Sequence, residues 1–385
     1  MDELTRQSLI AEVRRFVRER LVAAEDTIEQ SDDIPADLVD EMRQLGLFGL
    51  TIPERWGGLG LSLSDEVEVV SEIAWAAIAF RSLIGTNVGI GSQGLLMDGT
   101  NAQRDRWLPK LASGEVIASF CLTEPEAGSD ARSLRCSARP DGEGGWILNG
   151  TKRYATNAPR AGVFTVMART SDEGRGEISA FLVPADSPGL RLGPPDIKMG
   201  QRGTKTCDVI LEDARVDGDA LIGGAPGGGF RMAMKVLDRG RVHIGAVACG
   251  MAARLIDESL RYAEQRQQFG QPIASFQLVQ AMLADSQAEW LAARALVRET
   301  ARRHDAGERV TAEAAACKYI ATEMVGRVAD RAVQIHGGAG YIRDYKVERF
   351  FRDARLLRLY EGTSQIQQLI IARELRRAGP TTPAS

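Results

Sequence analysis

The stretch DGEGGWILNG, residues 141–150, places Trp146-Ile147-Leu148 between the dipeptides Asp141-Gly142 and Asn149-Gly150. Asp-Gly and Asn-Gly accept the positive φ of tight turns, so an apolar run bounded by them reads as a strand between hairpin turns. GVFTVMA (162–168), ISAFLVPA (178–185) and CDVILEDARV (207–216) continue the pattern, rich in β-branched residues and separated by turn formers. Residues 117–225 therefore read as a middle β-domain, a small antiparallel sheet or barrel of ordinary domain size.

Both flanks change texture. Residues 1–116 read as a helical domain. Asp33 and Pro35 open a helix over DLVDEMRQLGLFG (37–49), which Gly46 and Gly49 end, and Thr100 and Gln103 have capping-box spacing ahead of RDRWLPKL. Glycines 85, 89, 91, 94 and 99 thin a helix read over LIGTNVGIGSQGLL (83–96). Each costs roughly 1 kcal/mol in helix propensity, so either helices pack closely there or a ligand cavity has its floor there. GGAPGGG (223–229) is a hinge into residues 226–385, where Ile244, Val247, Met251 and Leu255 recur at helical spacing, as do Ile320, Met324, Val328 and Ile335. Four long helices with short loops are expected, forming an antiparallel bundle. The fold class is α+β, in the order α, β, α, and AGPTTPAS (378–385) is expected to be disordered.

Composition narrows the chemistry. The 385 residues carry 48 Lys+Arg against 52 Asp+Glu, a formal net charge of -4. No basic footprint for nucleic acid or an anionic membrane is present, and no apolar run approaches the ~20 residues of a bilayer span. Residues 1–25 lack the apolar core of a secretory signal. Cys121, Cys136, Cys207, Cys249 and Cys317 are odd in number and widely spaced, so no disulfide frame or zinc site is implied and a cytoplasmic setting is expected. His243, His304 and His336 lie at no metal-ligand spacing. Carboxylate chemistry or a borrowed cofactor remains.

In RLYEGTSQIQQLIIAREL (358–375), Ser364 and Gln367 have capping-box spacing, so a helix should start there with Glu361 in the loop before it. A helix N-terminus favours an anion, which serves a catalytic carboxylate and a merely dipole-complementing one equally well. FCLTEPEAGSDARS (120–133) offers the hydroxyls of Thr123 and Ser129 on a turn, and KRYATNA (152–158) offers Thr156 at a strand end. Arg266, in RYAEQRQQFG (261–270), sits at a helix end.

LTEPEAGSD, KRYATN, MGQRGTKT, RQQFGQPI, QIHGGAGY and LYEGTSQIQ, in this order, resemble the conserved blocks of the acyl-CoA dehydrogenase family of flavoproteins, and the similarity runs from about residue 5 to 377. The resemblance implies a helical N-terminal domain, a middle antiparallel β-domain and a C-terminal four-helix bundle, assembled as a homotetramer. It implies FAD between the β-domain and the bundle, with the adenosine end reaching a neighbouring subunit. Glu361 matches the base that takes the α-proton of an acyl-CoA while the β-hydrogen leaves as hydride to flavin N5. Some members place the base in the first bundle helix, and the matching position here is Gly240.

By the same resemblance, Phe120, Leu122, Thr123, Gly128 and Ser129 line the flavin, and Ala155 and Thr156 bond its edge. Arg266, Gln268 and Phe269 hold the pyrophosphate, Gln277, Gln334 and Gly338 the adenosine half, and Thr363 and Gln365 complete the cradle. Ser129, Asp238 and Arg241 match CoA contacts, and Tyr360 and Gly362 border the acyl channel. The sequence departs from the family pattern at Tyr154, Glu126 and Gln268. The implied activity is oxidation of an acyl-CoA to a trans-2-enoyl-CoA with electrons passed to an electron-transfer flavoprotein. A dehydrogenase of carrier-protein-bound acyl groups, an oxygen-using oxidase and a non-catalytic scaffold remain as alternatives on the same fold.

Overall fold

The computed structural model describes residues 3–171 and 177–379; residues 380–385 of the expected tail lie outside them. Helices come first: α1 (Glu3–Phe16), α2 (Glu25–Ser31), α3 (Ala36–Gln44), α4 (Leu63–Ile73), α5 (Ile78–Gly85), α6 (Gln93–Asp98) and α7 (Asn101–Ser113). Strands follow: β1 (Ile117–Cys121), β2 (Ser137–Pro140), β3 (Trp146–Thr156), β4 (Ala161–Arg169), β5 (Ile178–Pro184), β6 (Leu190–Leu192) and β7 (Thr206–Val216). The last block holds α8 (Gly229–Gln265), a hairpin of β8 (Gln267–Gln268) and β9 (Gln271–Pro272), then α9 (Gln277–Asp305), α10 (Thr311–His336), α11 (Val347–Leu357) and α12 (Ser364–Ala378).

The capping box at Thr100 and Gln103 forms as its spacing predicts, and Asp141-Gly142 turns the β2–β3 hairpin. Asn149-Gly150 does not turn the chain. It is a bulge inside β3, where register shifts between Leu148 and Gly150. Gly150 has φ 143°, and a Cβ there would stand 2.8 Å from the Cys136 Cα, so close backbone approach explains the glycine. The sheet runs β1-β4-β2-β3-β7-β6 with β5 on β4. Most pairs are antiparallel, but β1 and β2 both pair β4 in parallel.

The glycine-thinned stretch is not one helix. A π-turn over Thr86–Ile90 separates α5 from α6. Gly91 and Gly94 meet both readings halfway: a Cβ at either would clash with Ala118 or Met232, whereas at Gly89 nothing lies within 4 Å. The expected four long helices are corrected too. Three are long, and a turn that carries Glu361 divides the rest of the block into α11 and α12. Leu63, Val67 and Val70 of α4, with Ala74 at its C-terminal end, share the core of the C-terminal bundle, so an N-terminal helix joins it. Ile320 is 42% exposed and leaves the apolar row that Met324, Val328 and Ile335 keep.

Two sequence blocks meet through one buried ion pair. Lys152 of KRYATN, fully buried, donates to the Glu124 carboxylate of LTEPEAGSD at 2.7 Å, and Glu124 also accepts from the backbone N–H groups of Arg135 and Cys136. Asn157 then fastens the β3 end to α5, donating to the carbonyls of Ser82 and Leu83 and to the Thr86 hydroxyl. Removing one partner of a buried pair leaves an uncompensated charge. Lys152→Met is expected to cost about 3–5 kcal/mol in chemical denaturation, and Glu124→Gln/Lys152→Met to recover part of it. A double variant as unstable as the single one would contradict this account of the pair.

Candidate functional site

Glu361 lies in the turn between α11 and α12 with φ 52°, and Gly362 follows at 89°. Left-handed backbone costs a residue with a side chain about 1 kcal/mol or more, so the turn must be held from outside. Gln367, fully buried, donates Nε2 to the carbonyls of Glu361 (3.2 Å) and Gly362 (2.9 Å). Lys318, from the middle of α10, donates Nζ to the same Gly362 carbonyl at 2.7 Å. A Cβ at Gly362 would stand 2.7 Å from Gln367 Nε2, which accounts for glycine there. The helix cap is one residue earlier than the spacing predicts. Thr363 accepts from Ile366 N–H, while Ser364 donates to Glu323 and Gln367 reaches back to the turn instead of forming the box.

The Glu361 carboxylate turns toward α8. The residue as a whole is only half-buried, but its Oε2 is shielded from water and has no hydrogen-bond partner among the described residues. A Cβ at Gly240 would stand 2.5 Å from that oxygen. The helix thus leaves a notch for the carboxylate where the alternative base would sit. Burial raises the carboxyl above its ordinary range, while the cations Arg81, Lys318 and Arg241 pull the other way. Burial also pushes Lys318 down to about 8. The Glu361 backbone N–H finds no backbone acceptor among the described residues.

A narrow cleft opens at this carboxylate, bordered by Arg81, Gly85 and Gly89 from one side and Arg239, Gly240 and His243 from α8. Its wall carries a chain of polar contacts. Glu66 pairs with Arg239 and with His243 Nδ1, and His243 Nε2 faces Arg81 Nε at 2.8 Å. Burial and the neighbouring Arg81 push the imidazole down to about 4, so it is neutral near pH 7. Asp238 and Arg241, matched to CoA contacts, form an ion pair, and Asp238 also accepts from the Thr311 hydroxyl. Tyr360 is buried at its hydroxyl, close to Arg81 and Gln201.

The residues matched to FAD fall into two groups. Phe120, Leu122, Thr123, Gly128, Ser129, Ala155 and Thr156 come together where β1 ends beside β3: Ser119 Oγ donates to the Thr156 carbonyl at 2.8 Å, and Arg153 N–H to the Thr123 carbonyl at 2.8 Å. The hydroxyls of Thr123, Ser129 and Thr156 make no hydrogen bonds among the described residues, and nothing obstructs Gly128 within 4 Å. Arg266, Gln268, Phe269 and Gln277 lie instead around the β8–β9 hairpin, with Gln334 and Gly338 at the end of α10. Phe269 is 93% exposed. Ala118 of β1 and Val236 share a core cluster, whereas Arg266 lies about 45 Å further along α8 at 1.5 Å per residue. Of the remaining candidates, Thr363 spends its hydroxyl on the helix cap and Gln365 is exposed.

Arg81 and Lys318 stand beside Glu361 without the sequence reading having singled them out, and Gln367, read there only as a capping partner, holds the turn. Arg81 and Lys318 carried a signal, each being a lone cation inside an apolar run, AIAFRSLIG and AAACKYIA; nothing local marks the role of Gln367.

Family models for the acyl-CoA dehydrogenase N-terminal, middle and C-terminal domains match residues 4–115, 119–214 and 227–376. The chain is 41% identical to "Probable acyl-CoA dehydrogenase YngJ" of Bacillus subtilis over 97% of this chain and 99% of that one. It is 39% identical to an acryloyl-CoA reductase (NADH) of Anaerotignum propionicum, covering 94% and 92%. A solved acyl-CoA dehydrogenase from Bacillus anthracis, in complex with FAD, superposes with a TM-score of 0.92 at 34% identity, covering 98% of this chain and 68% of that one. On this fold and these matches, the chain belongs to the acyl-CoA dehydrogenase family, whose members are FAD-dependent oxidoreductases.

Proposed function

We propose that the chain oxidises an acyl-CoA thioester to its trans-2-enoyl form, with Glu361 taking the α-proton. The observation that carries the reading is Glu361 itself: its turn held at the backbone by Lys318 and Gln367, its carboxylate seated in the notch at Gly240, with Oε2 shielded and without a hydrogen bond among the described residues. A structural carboxylate so placed would be paired, since an unpartnered buried oxygen is costly. Desolvation makes this one a stronger base than a carboxylate in water, which the weakly acidic α-position of a thioester requires. The unengaged Glu361 N–H supports a second role, stabilising the charge that develops on the thioester oxygen.

The flavin shelf supports FAD as cofactor, since its hydroxyls are unspent and its glycine leaves room. Bound there, FAD supplies the acceptor for the β-hydrogen. Phe120, Leu122, Thr123, Ser129, Ala155 and Thr156 would hold the ring and ribityl end. Arg266 and its neighbours stand too far along α8 to reach the same molecule within one chain, which supports an oligomer in which a second copy supplies the adenosine-end contacts. An electron-transfer flavoprotein is the proposed acceptor. A second reading, reduction of a 2-enoyl thioester, draws on the acryloyl-CoA reductase relative; the same Glu361 would then return the α-proton.

Glu361→Gln keeps size and hydrogen bonding but removes the base. The variant is expected to purify yellow and to lose flavin reduction by acyl-CoA by about 10³-fold or more; retained reduction in stopped flow contradicts the assignment. Gly240→Ala tests the notch. Alanine in a helix interior gains up to about 1 kcal/mol, yet its methyl would crowd Oε2, so an unchanged or raised melting temperature should accompany a loss of activity of about tenfold or more. The base must be ionised to work, so kcat/KM should fall with acid through a pKa above the ordinary carboxylate range. Lys318→Met removes a cation that favours the ionised form, and its acid limb should move to higher pH; a limb unmoved or shifted down would refute that coupling.

A further inference from the structure

Glu361 and the flavin shelf stand on different blocks of the chain, and a buried joint relates one to the other. The shelf ends at Thr156, which pairs Thr206 across β3 and β7, and the next N–H, that of Asn157, donates to the Lys205 carbonyl at 2.8 Å. The loop leading into Thr206 is therefore an extension of the shelf. Gln201, in that loop, is 2% exposed with φ 54°. Left-handed backbone at such a residue costs on the order of 1–3 kcal/mol and persists only where the surroundings hold it. Here one residue of α11 holds it. Asp353 Oδ1 accepts the Gln201 N–H, and Gln201 Nε2 donates to the Asp353 carbonyl at 3.2 Å.

The backbone is shaped for this approach. A Cβ at Gly200 would stand 2.6 Å from Asp353 Oδ1 and 2.9 Å from the Arg352 carbonyl carbon, so only glycine lets the loop lie on α11. Asp353 is 3% exposed. Burial pushes its carboxyl up to about 6 against the pull of the Gln201 N–H, Arg349 and Arg352, and the ionised form prevails near pH 7. The bond from Gln201 is then charge-assisted, among the stronger kinds of hydrogen bond. From Asp353 the chain runs directly to the base: α11 ends at Leu357, Tyr360 N–H still donates to the Leu356 carbonyl at 3.2 Å, and Glu361 follows. The Tyr360 hydroxyl, buried close to Gln201 and Arg81, brings the start of the turn back against the loop.

Resting on the reading of Glu361 as the base and of the shelf as the flavin seat, we propose that Asp353 is a positioning residue for hydride transfer: through Gln201 it fixes where the shelf stands relative to the thioester that Glu361 deprotonates. Removal of the α-proton depends on the Glu361 turn, which has its own supports in Lys318 and Gln367. Departure of the β-hydrogen depends in addition on the shelf. The joint therefore governs the second event and spares the first, and a displacement of about 1 Å at the shelf suffices for a loss of about 10²-fold.

The experiment compares the FAD-loaded enzyme with FAD-loaded Asp353→Ala, Asp353→Asn and Gly200→Ala. Stopped flow gives anaerobic flavin reduction by acyl-CoA. NMR in D₂O gives α-proton exchange on an acyl-CoA that binds but cannot complete oxidation. Amide hydrogen exchange, which needs no turnover, reports on residues 199–205 and 356–363. Asp353→Ala should slow flavin reduction by about 10²-fold and leave α-proton exchange near the wild-type rate. Asp353→Asn, which keeps an acceptor for the Gln201 N–H, should restore most of the reduction rate. Residues 199–205 and 356–363 should lose amide protection together in Asp353→Ala while α8 keeps its own. If Asp353→Ala fails to fold, Gly200→Ala, which keeps every hydrogen-bonding group but pushes the loop off α11, should give the same split between reduction and exchange. Equal loss of reduction and exchange, unchanged reduction, or a loosened loop beside an unaltered turn each overturns the proposal and leaves the dehydrogenase reading standing. If no acyl-CoA reduces the wild-type flavin, that reading fails, and amide exchange still decides whether Asp353 joins the loop to the turn.

Discussion

One backbone carbonyl, that of Gly362, accepts hydrogen bonds from two buried side chains, Lys318 and Gln367. Those bonds hold Glu361 in left-handed backbone, and the conformation turns its carboxylate into the notch at Gly240. Position and basicity come from the same arrangement. The turn places the carboxylate where burial strengthens it, while Lys318, Arg241 and Arg81 keep the ionised form accessible. Release of the Gly362 carbonyl would weaken both together, leaving the left-handed turn to the Gln367 bond on the Glu361 carbonyl and the Ser364 N–H bond to the Arg358 carbonyl.

The carboxylate's surroundings are built by the first and last blocks of the chain, with the β-domain fastened to both. α5 brings Arg81, α8 brings the Gly240 notch and the Arg239–His243 face, and the turn before α12 brings Glu361. The β-domain is tied to α5 by Asn157, and the loop before β7 is tied to α11 by Gln201 and Asp353. The shared core of α4 with the bundle keeps Glu66 against α8. The flavin shelf and the carboxylate therefore belong to one frame.

Much of this was legible in residue order alone. The α, β, α succession followed from periodicity, and Glu361 stood out by its place before a helix. Asn149-Gly150 misled because a bulge and a hairpin turn use the same dipeptide, and only the partner strand, through Cys136, separates them. The fourth bundle helix is shorter than expected, because the turn that precedes it is held by side chains from elsewhere, Lys318 above all. The missing Cβ at Gly240 could be read as the absence of an alternative base, but not as space for Glu361, since the two lie 121 positions apart in the chain and meet only on folding. Arg81 and His243, from different helices, were invisible as a pair for the same reason.

The central claim is that the Glu361 carboxylate moves the α-proton. Exchange of that proton separates this act from hydride transfer. The FAD-loaded enzyme, incubated anaerobically in D₂O with an acyl-CoA that binds but cannot complete oxidation, should incorporate deuterium at the α-carbon by NMR, and Glu361→Gln should reduce the rate to that of buffer. Equal exchange in the two proteins would contradict the account.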